Sequence, residues 1–193
     1  MKHLIIYAHP NPQSFNHAIL ETVQGQLEEK GHEVRVRDLY ALNFNPVLAT
    51  DDFISFSQGN TPAEIEEEQK HIAWADNIIF IYPVWWAGLP AILKGYVDRV
   101  FSHGFAYAYS ENGIEKLLNG KKGLLLSTMG NTKEAYTANG MFEAMKKTTD
   151  AGIFDFTGIE TLEHTFYTSV PSVDDAARKQ YLEEVKELVN RVF

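Results

Sequence analysis

The chain has 193 residues, no cysteine, and 17 Lys and Arg against 26 Asp and Glu, which gives a formal net charge of −9. So acidic a chain repels polyanions and argues against nucleic-acid binding, and the lack of cysteine excludes disulfides, thiol catalysis and thiolate metal sites. The length and a hydrophobic content of 45% predict one globular domain over residues 1–193. No signal peptide and no apolar run of about 18 residues is recognisable, so we expect a cytoplasmic protein without membrane insertion.

The first half of the chain alternates between strand and helix patterns. An apolar run is followed by a helix with apolar residues at every fourth position and Ser14 as a candidate N-cap. The next strand alternates apolar and charged residues, which predicts the edge of a sheet. A long irregular segment with a short helix and a further acidic helix complete this half. These five elements are predicted over Leu4–Ala8, Phe15–Leu27, Glu33–Arg37, Asp51–Phe56 and Thr61–Ala75.

The stretch Ile78–Phe101 has the pattern of a fully buried strand that leads into a helix. The turn between them, Tyr82–Pro90, contains two adjacent tryptophans between prolines. So much apolar surface is unusual for a solvated loop, so we expect it to pack against something flat. Pro90 suits the first turn of the following helix, where its missing N–H is not needed.

The remaining elements are less regular. Ser102–Tyr109 is rich in aromatic residues, and we expect it to cover a pocket or to contact a second subunit. Ser172–Asp175 resembles a capping box before a final amphipathic helix that ends near Val192. Before it, the patterns predict a strand, a helix and a strand over Lys121–Ser127, Gly140–Thr149 and Ile159–Tyr167.

Five strands that alternate with helices predict an α/β fold, a doubly wound parallel sheet of order 2-1-3-4-5 with helices on both faces. The half-exposed second strand fits the edge position. In this order the ligand crevice forms where the first and third strands end. The loops after the first, third and fourth strands should therefore meet at one edge of the sheet.

Several common enzyme classes are excluded by their missing motifs. The chain contains no G-x-G-x-x-G, no G-x-x-x-x-G-K-[ST], no H-E-x-x-H and no G-x-S-x-G. Its histidines are scattered, and His9 and His17 would need a distant carboxylate to bind a metal, so we expect none.

The three loops match the three parts of a flavin. The loop before Phe15 offers helix N-terminal amides to a phosphate, although a capped helix without a ligand fits these residues equally well. The tryptophan turn offers a platform for the isoalloxazine ring. Thr128–Asn131 offers backbone donors to its pyrimidine edge, where reduction places negative charge.

With these motifs the sequence resembles the NAD(P)H:quinone oxidoreductase family of the DT-diaphorase type, in particular its shorter bacterial members and the related potassium-efflux ancillary subunits. The likeness runs in order over about residues 4–140 and is weaker towards the C-terminus. It is carried by Ala8–Pro10, Ser14–Asn16, Asp38–Pro46, Pro83, Trp86, Gly88–Gly95, Arg99–Phe101, Phe105–Tyr107 and Tyr109.

The resemblance implies a flavodoxin-like fold, a flavin on each subunit and a homodimer with two sites at its interface. It also implies ping-pong transfer, in which NAD(P)H as co-substrate gives up a hydride before a quinone takes its place. The residues that it assigns to the flavin phosphate are His9, Ser14, Phe15 and Asn16. Those that it assigns to the isoalloxazine are Pro83, Val84, Trp85 and Trp86. Those that it assigns to the polar edge are Thr128, Met129, Gly130 and Asn131.

Three tyrosines complete the implied site. Tyr107 and Tyr109 resemble the aromatic residues that reach the substrate pocket of the partner subunit. Tyr136 matches the family's active-site tyrosine, but it also fits a half-buried loop residue. Six positions later the longer members have a histidine, whereas this chain has Phe142, and Thr128–Asn131 departs from the family's paired threonines and glycines. Either Tyr136 with solvent suffices for proton handling or the acceptor differs.

The leading interpretation is thus a flavin-dependent NAD(P)H dehydrogenase, a quinone reductase. Two alternatives are a regulatory subunit of a potassium-efflux system, which would have a membrane transporter as its partner, and a flavodoxin-type electron carrier. The compact chain favours FMN, with FAD possible.

Overall fold

The computed structural model describes residues 1–193. It contains a five-stranded parallel sheet of order β2-β1-β3-β6-β7 and a separate two-stranded hairpin. The hairpin consists of β4 and β5, so β6 and β7 are the fourth and fifth strands of the sheet. The predicted order 2-1-3-4-5 is therefore confirmed. The sheet strands are β1 (Lys2–Tyr7), β2 (Glu33–Asp38), β3 (Asn77–Pro83), β6 (Lys122–Thr128) and β7 (Glu160–Tyr167).

Helices cover both faces of the sheet. One face packs against α1 (Phe15–Glu29) and α7 (Asp175–Val192), and the other against α3 (Ala63–Trp74), α4 (Ala91–Val100) and a π-helical segment (Lys147–Asp155). All residues of the central strand β3 are buried, whereas edge strand β2 exposes alternate residues. The edge position predicted for β2 from its alternation and the buried position predicted for β3 from its apolar run are therefore confirmed. None of the helices combines the length and the apolar character that crossing a bilayer requires.

The segment after β6 differs from the prediction of one helix over Gly140–Thr149. It forms α5 (Lys133–Ala138), α6 (Met141–Lys146) and then the π-helical segment. Gly140 has a left-handed φ of 69° and separates the first two, and neither short helix has the apolar repeat that identifies longer helices. The predicted helix was therefore wrong in its extent.

Two further local predictions need correction. Ser102–Tyr109 is not irregular throughout, because Tyr107 begins a hairpin of β4 (Tyr107–Ser110) and β5 (Gly113–Lys116). The N-cap of α7 is Asp174, whose carboxylate accepts from the Ala177 N–H at 2.8 Å, and not Ser172. The short helix predicted in the long irregular segment is present as α2 (Thr50–Ser57).

Candidate active site

A cavity of about 210 Å³ lies at the carboxyl ends of β1, β3 and β6. Tyr7 pairs with Ile81, and Pro83 pairs with Thr128, so the loops after these strands emerge side by side. The chain leaves β1 towards α1 on one face and β3 towards α4 on the other, which makes this the switch point of the sheet. The cavity, called the crevice below, is lined by His9, Ser14, Phe15, Asn16, Pro83, Val84, Trp85, Thr128, Met129, Gly130, Val170 and Pro171.

The first wall of the crevice is the loop that enters α1. Ser14 is the N-cap predicted from the sequence, and its hydroxyl accepts from the His17 N–H at 3.2 Å. The amides of Phe15 and Asn16 belong to the first turn and have no partner within the helix. Burial lowers the pKa of His9 in this wall. The wall therefore presents amide donors and an imidazole that stays neutral to lower pH than usual.

A buried hydrogen bond joins the first and third loops. The Asn16 side chain, 3% exposed, donates from Nδ2 to Thr128 Oγ1 at 2.8 Å. Its Oδ1 is buried and has no hydrogen-bond partner. Because an unpaired buried amide oxygen costs roughly 1–3 kcal/mol, this atom marks a place where a bound molecule with a donor group would be favourable.

The tryptophan turn forms the second wall and is strained. Trp85 and Gly88 exchange backbone hydrogen bonds at 3.2 and 3.1 Å, and Trp86 and Ala87 between them both have positive φ, 52° and 56°. Two successive non-glycine residues in this region cost roughly 1–2 kcal/mol each. Trp85 lines the crevice, whereas Trp86 lies at the tip of the turn with its side chain fully exposed and does not contribute to the wall.

The third wall is the loop after β6, which is held by hydrogen bonds from the turn that follows β7. Thr128 and Met129 are buried, and Gly130 is exposed at the crevice. The Val170 N–H donates to the Met129 carbonyl at 3.0 Å and the Ser169 N–H to the Asn131 carbonyl at 2.9 Å. Asn131 itself does not line the crevice. Val170 and Pro171 could have been found from the same rule, because they follow the end of the fifth strand.

The three predicted tyrosines do not line this crevice. Tyr107 is half-buried against Phe156, with ring centroids 5.2 Å apart, and borders a different cavity beside α4. Tyr109 is 70% exposed and stacks on His103 at 5.5 Å. Tyr136 is half-buried in α5 and packs edge-to-face against Phe142 at 5.7 Å.

No carboxylate, lysine or arginine lines the crevice. Although the chain has a net charge of −9, the walls of the crevice carry no charged side chain other than a titratable imidazole. They are apolar and aromatic, and their polar groups are amides, hydroxyls and that one imidazole. Such a site can hold a planar apolar ring and can bind an anionic group through backbone dipoles instead of cationic side chains.

Comparisons with known proteins agree with this architecture. Residues 1–189 match a family model described as flavodoxin-like fold. An uncharacterized NAD(P)H oxidoreductase of Haemophilus influenzae is 40% identical over 184 residues, which cover 95% of this chain and 91% of that protein. NAD(P)H dehydrogenase [quinone] 1 of Rattus norvegicus is 34% identical over 210 residues, covering 98% of this chain and 77% of the rat protein.

Among solved structures, the NAD(P)H:quinone oxidoreductase from Methanothermobacter marburgensis superimposes with a TM-score of 0.92 at 31% sequence identity. The match covers 100% of this chain and 99% of the other. The family resemblance of the sequence is thereby confirmed. From the sheet order, the crevice at the switch point and these relatives, we conclude that the chain belongs to the NAD(P)H:quinone oxidoreductase family with a flavodoxin-like fold.

Proposed function

We propose that this protein is a flavin-dependent NAD(P)H dehydrogenase that reduces quinones or similar acceptors. The observation that carries the proposal is the crevice itself, in which three loops far apart in sequence meet at the switch point of the sheet. The relatives named as NAD(P)H oxidoreductase and quinone dehydrogenase support the same reaction class.

The residues of the crevice fit a flavin. The amides of Phe15 and Asn16, with Ser14 and His9, are suited to its phosphate. Val84, Trp85 and Met129 offer apolar and aromatic surface to its ring, and the backbone of the exposed Gly130 is suited to the pyrimidine edge. When bound, a flavin supplies the two-electron chemistry that connects a nicotinamide with a quinone.

The unpaired Asn16 Oδ1 supports the presence of a ligand with a donor group. The strained backbone of the Trp86–Ala87 turn also supports a ligand site, because strained backbone conformations concentrate at ligand sites. Both observations support a role for the chain's own polar atoms in holding and orienting a planar group between apolar walls.

Of the two candidate flavins we propose FMN. The walls account for a phosphate, a ring and a pyrimidine edge, which are the parts that FMN contains. Extraction of the bound flavin followed by chromatography distinguishes FMN from FAD, and a stoichiometric yield of FAD would refute this choice.

A second copy of the chain completes the site in this proposal. Tyr107 and Tyr109 lie on the β4–β5 hairpin outside the five-stranded sheet, and Tyr109 is 70% exposed. Tyr109 is therefore free to contact a substrate in the crevice of a partner subunit, with the Tyr107 ring beside it at 5.8 Å. Replacing both with Ala should impair acceptor use more than flavin binding, whereas a fully active monomer would contradict the shared site.

Anaerobic reduction tests the activity directly. Protein loaded with FMN is mixed with NADH or NADPH, and the flavin absorbance is followed before and after a quinone is added. We expect bleaching by at least one nicotinamide and recovery of the yellow colour with the quinone. A colour that persists with both nicotinamides would refute the dehydrogenase and favour a flavodoxin-type electron carrier.

A further inference from the structure

A buried histidine lies outside the crevice and joins two polar groups. His164 on β7 is 5% exposed. Its Nδ1 is 2.6 Å from Asp150 Oδ1 in the π-helical segment, and its Nε2 is 3.1 Å from the Tyr82 hydroxyl on β3. The three residues, called the triad below, connect the sheet to the π-helical segment.

The partners of His164 define its hydrogen-bonding pattern. A carboxylate only accepts, so Nδ1 carries a hydrogen and donates to Asp150, while Nε2 is paired with the Tyr82 hydroxyl. Burial, followed by the nearby negative charge of Asp150, raises the pKa of Tyr82. With both nitrogens paired in a buried place, the plane of the imidazole is fixed.

A row of four aromatic rings in contact runs from this imidazole to Tyr136. His164 stacks on Phe166 with ring centroids 4.1 Å apart and an interplanar angle of 28°. Phe166 packs on Phe142 at 5.0 Å, and Phe142 packs on Tyr136 at 5.7 Å. The row therefore links the triad to the residue that the family resemblance places in the active site.

Helix α5, which carries Tyr136, has little other anchorage. It is six residues long and buries none of them, and α6 buries only Met145. The left-handed residue Gly140 separates the two helices, so that neither extends the other. The contact of Phe142 with Phe166 is thus one connection between these helices and the sheet, beside the buried Met145.

We infer that His164 is a positioning residue, which holds Phe166 and, through Phe142, sets the place of the Tyr136 side chain. The inference rests on the proposed function and on the family resemblance, which implies that Tyr136 is the active-site tyrosine. It also gives a role to Phe142, which stands where longer relatives have a histidine. In this chain that position supports Tyr136 by packing instead of handling a proton.

Hydrogen exchange of the apoprotein tests the positioning without any cofactor. His164→Ala removes the first ring of the row, and we expect the amides of residues 133–146 to exchange about tenfold faster. His3→Ala is the matched control, because His3 is also buried, at 0% exposure, but lies on β1 away from these helices. Equal acceleration in residues 133–146 in both variants would overturn the inference.

A second variant keeps the triad intact. Phe166→Leu removes the second ring of the row without leaving Asp150 or Tyr82 unpaired. We expect the amides of residues 133–146 to exchange faster in this variant too. Parental exchange rates in residues 133–146 of Phe166→Leu would overturn the inference even if His164→Ala failed to fold.

A double-mutant cycle shows whether His164 acts through Tyr136. We expect His164→Ala to slow flavin reduction about tenfold in the parent but less than about twofold in the Tyr136→Phe background. Equal slowing in both backgrounds would overturn the inference. A parent protein that accepts no hydride would instead refute the proposed function, while the exchange experiment still decides on the positioning of α5 and α6.

Discussion

Acidification should destabilise the protein through His3. This residue is 0% exposed, its Nε2 lies 2.9 Å from His32 Nδ1, and the two rings stack at 4.9 Å. Phe193 packs edge-on against it at 4.6 Å. Burial, followed by the repulsion from His32, lowers the pKa of His3 from 6.5 to about 4.

The sign of the effect follows from this direction. Above pH 6.5 His3 is neutral in both the folded and the unfolded chain, so its full contribution to the free energy of unfolding is present. Between pH 6.5 and about pH 4, His3 binds a proton in the unfolded chain but not in the folded chain. The free energy of unfolding therefore falls as the pH falls. The loss amounts to about 2 kcal/mol near about pH 5 and approaches roughly 3 kcal/mol below about pH 4.

Urea unfolding of the parent and of His3→Leu at several pH values measures this contribution. Leucine has a similar volume and does not titrate, so the variant lacks this proton linkage. We expect the free energy of unfolding of the parent to fall by about 2 kcal/mol more than that of the variant between about pH 7.5 and about pH 5. Parallel pH dependences of the two proteins would refute the reasoning.

Three further predictions concern backbone geometry and chemistry. Gly95→Ala should lower the free energy of unfolding by more than about 3 kcal/mol, because the added Cβ would overlap the backbone oxygen of Pro46; near-parental stability in urea would contradict this packing. Ala87→Gly should raise the free energy of unfolding by roughly 0.5 kcal/mol, since glycine relieves the φ of 56°, and a lower midpoint in urea would count against strain at this turn. Tyr136→Phe should slow flavin reduction roughly ten- to a hundredfold in stopped-flow measurements with unchanged flavin content, and equal rates would exclude a role for its hydroxyl.

The strands of the sheet were predictable because their signals are local and strong. An all-apolar run such as the one in β3 can be accommodated only in the middle of a parallel sheet, and the alternation in β2 fits only an edge. The segments after β6 were less predictable. Their helices are short, and their placement depends on Phe142 and Phe166, which come together only in the folded chain.

The candidate site was predictable in part. That the loops after β1, β3 and β6 meet follows from strand order alone, and their role in binding a flavin stays a prediction. The Asn16–Thr128 bond across 112 positions and the full exposure of Trp86 could not be predicted. Each depends on distances between segments that hydrophobic periodicity does not encode.

By itself, the sequence determined the layered sheet, its order and the edge at which the crevice lies, since hydrophobic patterning and connection rules act along the chain. Only the tertiary structure decided which atoms face the crevice, which turn is strained, and that His164 is paired with both Asp150 and Tyr82. The physical reason is that burial and hydrogen bonding depend on neighbours in space, and these are set by the packing of all the elements together.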